Sequence, residues 1–364
     1  MTDEELGRLR AGCAQALTGH KTVSVKRALS DLAAATPETI DFDRYGRGDW
    51  LGEFEARVAR ELGKEAGVFL PSGTLAQVVA LRIWCDAAHV RTIAFHPTSH
   101  LEIHESRAYA MLHDLRALPI GSPQQLMTPE DVRAIAEPLG AFLVELPQRE
   151  IGARLPAWEQ LGEICSIARA TGARLHLDGA RLWEAAPFYG RSHADIAALF
   201  DSVYVSFYKG LGALAGAMLA GPTPFIEQAR VWQHRHGGRL VTIAPLALSA
   251  RYAFEQNLSK MRSYRERALE VAVALGALDG VDVVPEPPHT NTFHIFLRGA
   301  KDRLEDGAHA FAREHRTFAF GRLAPTAQPL VAKWEFVVGE ATLELATEAI
   351  AAAVRAIVDG AAAR

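Results

Sequence analysis

At 364 residues the chain exceeds one typical domain, and one large α/β domain with a smaller companion is the natural expectation. Hydrophobic residues at 49% and charged residues at 23% give the balance of a soluble globular protein and exclude a disordered or membrane-spanning chain. A net charge of -4 argues against a nucleic-acid partner, and three scattered cysteines offer neither a disulfide framework nor a Cys-rich metal site.

The N-terminus begins acidic and polar, unlike a signal peptide, so the cytoplasm is the expected compartment. Residues 1–44 read as a helical arm, two helices around the polar stretch Thr18 to Thr22, with no strand signal. From Trp50, Leu51, Phe54, Val58 and Leu62 recur at helical spacing, and the strand GVFL follows. Six further apolar runs begin at 91, 116, 141, 174, 202 and 216, alternating with helical patterns that start near Thr74, His100, Pro129, Ala157 and Ala194. This order predicts a mostly parallel sheet of about seven strands in a large domain spanning 45–245. A helical stretch from Phe225 to Leu275, broken at residues 236–238, leads into a small α+β domain spanning 246–364, which ends in a helix from Thr342 to Ala363.

Ligands of open α/β sheets bind beyond the carboxyl ends of strands, so polar residues that follow an apolar run come first. Ser72, Gly73 and Thr74 lie between a strand and a helix, a phosphate-binding arrangement in form, although an ordinary helix cap uses the same residues. Lys209 ends a strand with Gly210 and Gly212 behind it, which suits either a Schiff-base lysine or a surface lysine. Asp178 follows the run RLHL, where a carboxylate is paired with Arg181 or functional. In a pyridoxal-phosphate site such an aspartate would keep the pyridine nitrogen protonated, and Arg181 would answer a phenolic oxygen or a carboxylate. His96, His100 and His104 recur every fourth residue, but Glu102 is misplaced for a zinc motif, so no metal is expected. The glycines of KGLGALAG have the wrong spacing for a dinucleotide fingerprint.

The ordered set DRYG at 43–46, LGKEAGVFLPSGT at 62–74, TSHLEIHE at 98–105, HLDGARLWEA at 176–185 and KGLGA at 209–213 resembles the L-threonine aldolase and β-eliminating lyase family. The resemblance implies pyridoxal-phosphate fold type I, with pyridoxal 5′-phosphate bound and active sites at the interfaces of a homodimer or homotetramer. It also implies Lys209 as the Schiff-base lysine, Asp178 as the pyridinium partner, His100 stacked on the ring, and Ser72, Gly73 and Thr74 on the phosphate. Arg181 would lie beside the phenolic oxygen or the substrate carboxylate, and Ser206 joins the cofactor-binding set. Tyr45 is similar to a tyrosine that reaches a neighbouring subunit's site, and Glu105 follows His100 as the family's glutamate does.

Three segments depart from the family's pattern. GCAQALTGHKTVSVKRA replaces the segment that carries a substrate-contacting serine, leaving Thr18, His20 and Lys21 as substitutes. Glu145-Leu-Pro-Gln-Arg-Glu-Ile-Gly152 lacks the histidine assigned to the β-hydroxyl, and Gln148, Arg149 and Glu150 occupy that region. Arg322 and Lys333 are further candidates for the substrate carboxylate. The activity implied is retro-aldol cleavage of a threonine-like β-hydroxy-α-amino acid to glycine and an aldehyde. β-Elimination, another lyase, transaldolase or decarboxylase-like activity, and a catalytically silent cofactor-binding scaffold stand as alternatives.

Overall fold

The computed structural model describes residues 1–21 and 23–362, so Thr22 and Ala363 of the expected elements lie outside the described residues. Contacts divide the chain into two compact units. The larger comprises Leu29–Ile151 and Leu155–Ser259, and the smaller comprises Met1–Ala28, Gly152–Arg154 and the residues from Lys260 onward. The larger unit extends past residue 245 because helix Ala244–Asn257 places Phe254 against Phe54 and Phe207, with ring centroids 6.2 Å away in each case.

The larger unit is built on a seven-stranded sheet whose spatial order is Ala66–Leu70, Ala217–Gly221, Ser202–Ser206, Arg174–Gly179, Ala141–Glu145, Thr92–Phe95 and Arg116–Pro119. These are the seven apolar runs of the sequence. Ser202–Ser206 and Ala217–Gly221 are buried at every position, as strands covered on both faces require. All pair in parallel except Ala217–Gly221, which runs antiparallel to both of its neighbours. The link from Ser206 to Ala217 is too short for a helical crossover, so the chain turns straight back. Gly216, at φ +109°, makes that turn where an added Cβ would meet the Phe69 ring at 2.3 Å.

Helix Gly73–Ala88 packs on the sheet through Ala76, Val79, Ala80 and Ile83. Val79 and Ile83 each contribute up to about 1.5–3 kcal/mol by leaving water, and Trp84 adds a ring stacked on Phe225 at 4.5 Å. Helix Leu182–Tyr189 has no counterpart in the sequence reading, where its brevity and the internal Pro187 hide the periodicity. The expected break at 236–238 separates Thr223–Arg235 from Ala244–Asn257.

In the smaller unit a four-stranded antiparallel sheet runs in the order Ala324–Pro325, Val331–Val337, Thr292–Arg298 and Val281–Val284. Phe293 and Phe336, register partners, stack at 5.1 Å on its buried face. The N-terminal segment contributes a strand that the sequence did not signal: Gln15–Ala16 pairs in parallel with Thr317–Phe318. The expected last helix is divided into Glu340–Leu343 and Thr347–Ala362. Among the described residues no helix is long and apolar enough to cross a membrane.

Candidate active site

Sheet register assembles the site. Glu145, Asp178 and Tyr204 are Cα partners across three adjacent strands, so their side chains share one face at the sheet's carboxyl edge. Asp178 is only 2% exposed, and its Oδ1 accepts a hydrogen bond from the Ala180 N–H at 3.1 Å. Burial, reinforced by the neighbouring Asp178 charge, pushes the Glu145 carboxyl well above the usual range. Backbone N–H groups of Arg149 and His100 donate to Glu145 at 3.2 Å each and oppose that shift.

Lys209 lies in the turn between Ser202–Ser206 and Ala217–Gly221. The turn is anchored from beneath: Phe207 packs against Phe54 at 5.4 Å, Asn257 donates to the Leu211 carbonyl at 2.8 Å, and Ser249 Oγ accepts from the Leu214 N–H at 2.9 Å. Burial lowers the Lys209 pKa, Arg181 adds to the effect, and Asp178 and Glu145 oppose it. An amine held below its ordinary range is more often neutral and therefore nucleophilic. Gly210 lets the Glu184 carboxylate lie against the backbone of this turn, since an added Cβ would meet Glu184 Oε1 at 2.1 Å. Glu184 is itself buried, which raises its carboxyl pKa, and its Oε2 has no hydrogen-bond partner.

At the edge of the same face, Ser72 caps helix Gly73–Ala88, its Oγ accepting from the Leu75 N–H at 3.3 Å. A Cβ on Gly73 would lie 2.0 Å from Tyr204 Oη, so only glycine brings this helix end so close to the row of Asp178. Thr74 follows in the first turn.

His100 begins the helix His100–Ile103, and its Nδ1 lies 2.8 Å from Glu105 Oε1. Glu105 is buried, which raises its pKa against the pull of His100, and its Oε2 lacks a hydrogen-bond partner. A second imidazole, His104, stands 4.9 Å from the first between ring centroids, with its Nε2 2.8 Å from Glu150 Oε1. Arg149 Nη1 donates to the same Glu150 oxygen at 2.9 Å. Gln148 is buried and its amide donates to Thr98 Oγ1 at 3.1 Å and to Glu145 Oε2 at 3.3 Å.

A lysine with a lowered pKa, a buried carboxylate beside it and a helix N-terminus on the same sheet face narrow the chemistry, and comparison with known proteins names it. The beta-eliminating lyase family matches residues 22–300. The chain belongs to that family. It is 28% identical to the low-specificity L-threonine aldolase 1 of Arabidopsis thaliana over 76% of this chain and 78% of that protein. It is equally identical to the low specificity L-threonine aldolase of Escherichia coli K12, over 75% and 80% of the two chains. Among solved structures, a putative L-allo-threonine aldolase from Listeria monocytogenes superposes with a TM-score of 0.93 at 39% identity, covering 98% of this chain and 99% of that one.

This β-eliminating lyase family member is a pyridoxal-phosphate-dependent enzyme of fold type I. Its residues fit the cofactor: the missing Cβ of Gly73 lets a helix N-terminus close on Tyr204 Oη beside Asp178, and Glu105 Oε2 is a buried oxygen still short of a donor. The sequence candidates fall into three placements. Lys209, Asp178, His100, Arg181, Gln148, Glu150 and Ser72 to Thr74 belong to the larger unit, and Arg181 acts electrostatically on both Lys209 and Glu184. Ser206, also there, is buried with its hydroxyl donating to the Ala180 carbonyl at 3.0 Å. Tyr45, at φ +52° and exposed, lines a separate cleft with Arg47, Arg230 and Arg239. Arg322 and Lys333 belong to the smaller unit, where Arg322 meets Asp3 Oδ1 at 2.7 Å and Lys333 lies on strand Val331–Val337. Sequence reasoning missed Glu145 as an acid, Tyr204, Glu184 and the pairing of His104 with Glu150.

Proposed function

We propose that the enzyme cleaves a β-hydroxy-α-amino acid of the threonine type to glycine and an aldehyde. The observation that carries this reading is the placement of the half-buried Lys209, its pKa lowered by desolvation, beside Arg181 and the carboxylates of Asp178 and Glu145. Likeness to named threonine aldolases supports the substrate class. Pyridoxal phosphate, when bound, supplies the electron sink for the pair released at Cα.

On this reading Lys209 anchors the cofactor through its amine, and Asp178 holds a proton on the ring nitrogen. Ser72, Gly73 and Thr74 receive the phosphate at a helix N-terminus, where N–H groups and the helix dipole favour an anion. His100, with Glu105 fixing its Nδ1 side, presents its ring to the cofactor. Arg181 offers a planar fork to the phenolic oxygen or the substrate carboxylate. Gln148 and Glu150 face the substrate's hydroxyl side. The carboxylate and hydroxyl contacts decide which bond at Cα breaks, because they set the substrate's orientation. As in the oligomeric arrangement implied by the family resemblance, Tyr45 would serve a neighbouring subunit of a homo-oligomer.

The test is incubation of the purified enzyme with threonine, phenylserine and hydroxyaspartate, followed by product analysis. Glycine plus an aldehyde is the expected outcome. Ammonia plus a keto acid would assign elimination instead.

A further inference from the structure

Retro-aldol cleavage requires a group that removes the proton of the β-hydroxyl, and the side chains that gather on Glu145 and Arg149, both of which act electrostatically on Lys209, differ in their ability to do so. Gln148 is an amide, and its nitrogen is already committed to Thr98 and Glu145. His100 has its Nδ1 held by Glu105, and the proposed function gives its ring to the cofactor. Glu145 accepts from two backbone N–H groups and from Gln148, and it is 8% exposed.

His104 is different. It lies one helical turn beyond His100, so both imidazoles project from the same side of the chain. Its side chain is 37% exposed and that of Glu150 20%, so the pair opens to the medium from which a substrate arrives. Glu150 Oε1, 2.8 Å from His104 Nε2, is the natural acceptor for a proton on that nitrogen. Arg149 approaches the same nitrogen at 3.3 Å but donates to Glu150 at 2.9 Å, the charge-assisted and shorter contact. The carboxylate therefore fixes the hydrogen at Nε2 and leaves Nδ1 as a bare acceptor. An imidazole oriented by a carboxylate, with its other nitrogen free, is the arrangement of a general base.

We propose that His104, oriented by Glu150 and Arg149, takes the β-hydroxyl proton of the substrate. The inference rests on the aldolase reading of the site. The proton passes from the hydroxyl to His104 Nδ1, and the O–H electron pair becomes the second C–O bond of the aldehyde. The Cα–Cβ pair stays with Cα, for which pyridoxal phosphate, when bound, would supply the electron sink, and protonation of Cα gives glycine.

Two reactions of the same holoenzyme separate this role from a structural one. Aldehyde release from phenylserine needs a base for the hydroxyl, whereas exchange of the glycine α-hydrogen with deuterated water does not. His104→Phe is expected to lower aldehyde release about 100-fold or more while glycine exchange stays within about twofold. Glu150→Gln, a milder variant, is expected to slow aldehyde release by a smaller factor. It should also shift the His104 nitrogen-15 signals from the Nε2–H tautomer toward a mixture, a readout independent of turnover. Equal loss of both reactions in His104→Phe, or full aldehyde release in that variant, would overturn the inference while leaving the aldolase reading in place. So would a His104 tautomer that Glu150→Gln leaves unmoved. Wild-type enzyme that exchanges glycine's α-hydrogen yet releases no aldehyde from any β-hydroxy-α-amino acid would overturn both.

Discussion

Two rows of polar side chains cross the same face of the seven-stranded sheet two residues apart, and they handle burial in opposite ways. In the inner row, Trp84 Nε1–H donates to Ser202 Oγ at 2.7 Å, and the Ser202 hydroxyl donates to His176 Nδ1 at 2.8 Å. His176 Nε2–H in turn donates to Gln77 Oε1 at 2.7 Å. One proton arrangement satisfies the indole, hydroxyl and imidazole together, and Gln77 Nε2 is the one atom of the four side chains without a partner. The outer row of Glu145, Asp178 and Tyr204 places two acids side by side, close to a lysine whose pKa is lowered and to the buried, unpartnered Glu105 Oε2. The difference is one of position: Gln77 on its helix seals the inner row, while the outer row stands where the strands give way to loops. Burial of polar groups is common to both. Acids left side by side, close to a lysine, distinguish the outer row as the candidate reactive one.

The largest expected effect comes from the outer row. Asp178→Asn keeps the shape of the side chain but removes its charge, so on the proposed reading the ring nitrogen of the cofactor would lose its ionic partner. Turnover is expected to fall at least about 100-fold, with the chain still folded. Activity within about threefold of wild type would show that the row's charge is not used.

The inner row should answer in stability instead. Burial pushes the His176 pKa down from its usual 6.5 to about 3. An imidazole that takes a proton more readily in the unfolded chain makes acid favour unfolding, so its contribution is intact above pH 6.5 and is lost as pH falls toward 3. His176→Gln removes this titration and disrupts the network, at a cost of about 1–3 kcal/mol near neutral pH. The gap in melting temperature between wild type and variant should therefore narrow between pH 6.5 and 3. A gap that stays constant with pH would mean that His176 does not carry the acid sensitivity of this row.

The contrast between the rows was only half visible in the sequence. Lys209 and Asp178 stood out because each interrupts an apolar run with a charge, and Gly73 because it follows a strand and opens a helix. Glu145 ends its own run in the same way, but its weight comes from lying beside Asp178, which depends on a strand order that periodicity does not encode. Tyr204 reads as one more aromatic residue in an alternating strand until Gly73 is found against its hydroxyl. His104 and Glu150 are 46 residues apart and meet only because two strand-end loops converge. The antiparallel course of Ala217–Gly221 was hidden for the same reason, since an apolar run carries no direction.

The smallest effect tests whether the helix end beside the outer row is cap or binding site. Ser72 Oγ accepts the Leu75 N–H through a lone pair, which leaves the hydroxyl hydrogen available to a phosphate oxygen. Cap and phosphate contact are therefore compatible, and one variant separates their contributions. Ser72→Ala should cost about 1 kcal/mol in the cofactor-free chain, measured by urea unfolding, through loss of the cap alone. If the hydroxyl also holds the phosphate, the variant binds pyridoxal phosphate more weakly, and the stability gap widens when the cofactor is added, because a ligand stabilises the folded state in proportion to its affinity. A gap of the same size with and without cofactor would leave Ser72 as a helix cap and nothing more, and would assign the phosphate to the backbone N–H groups of Gly73 and Thr74.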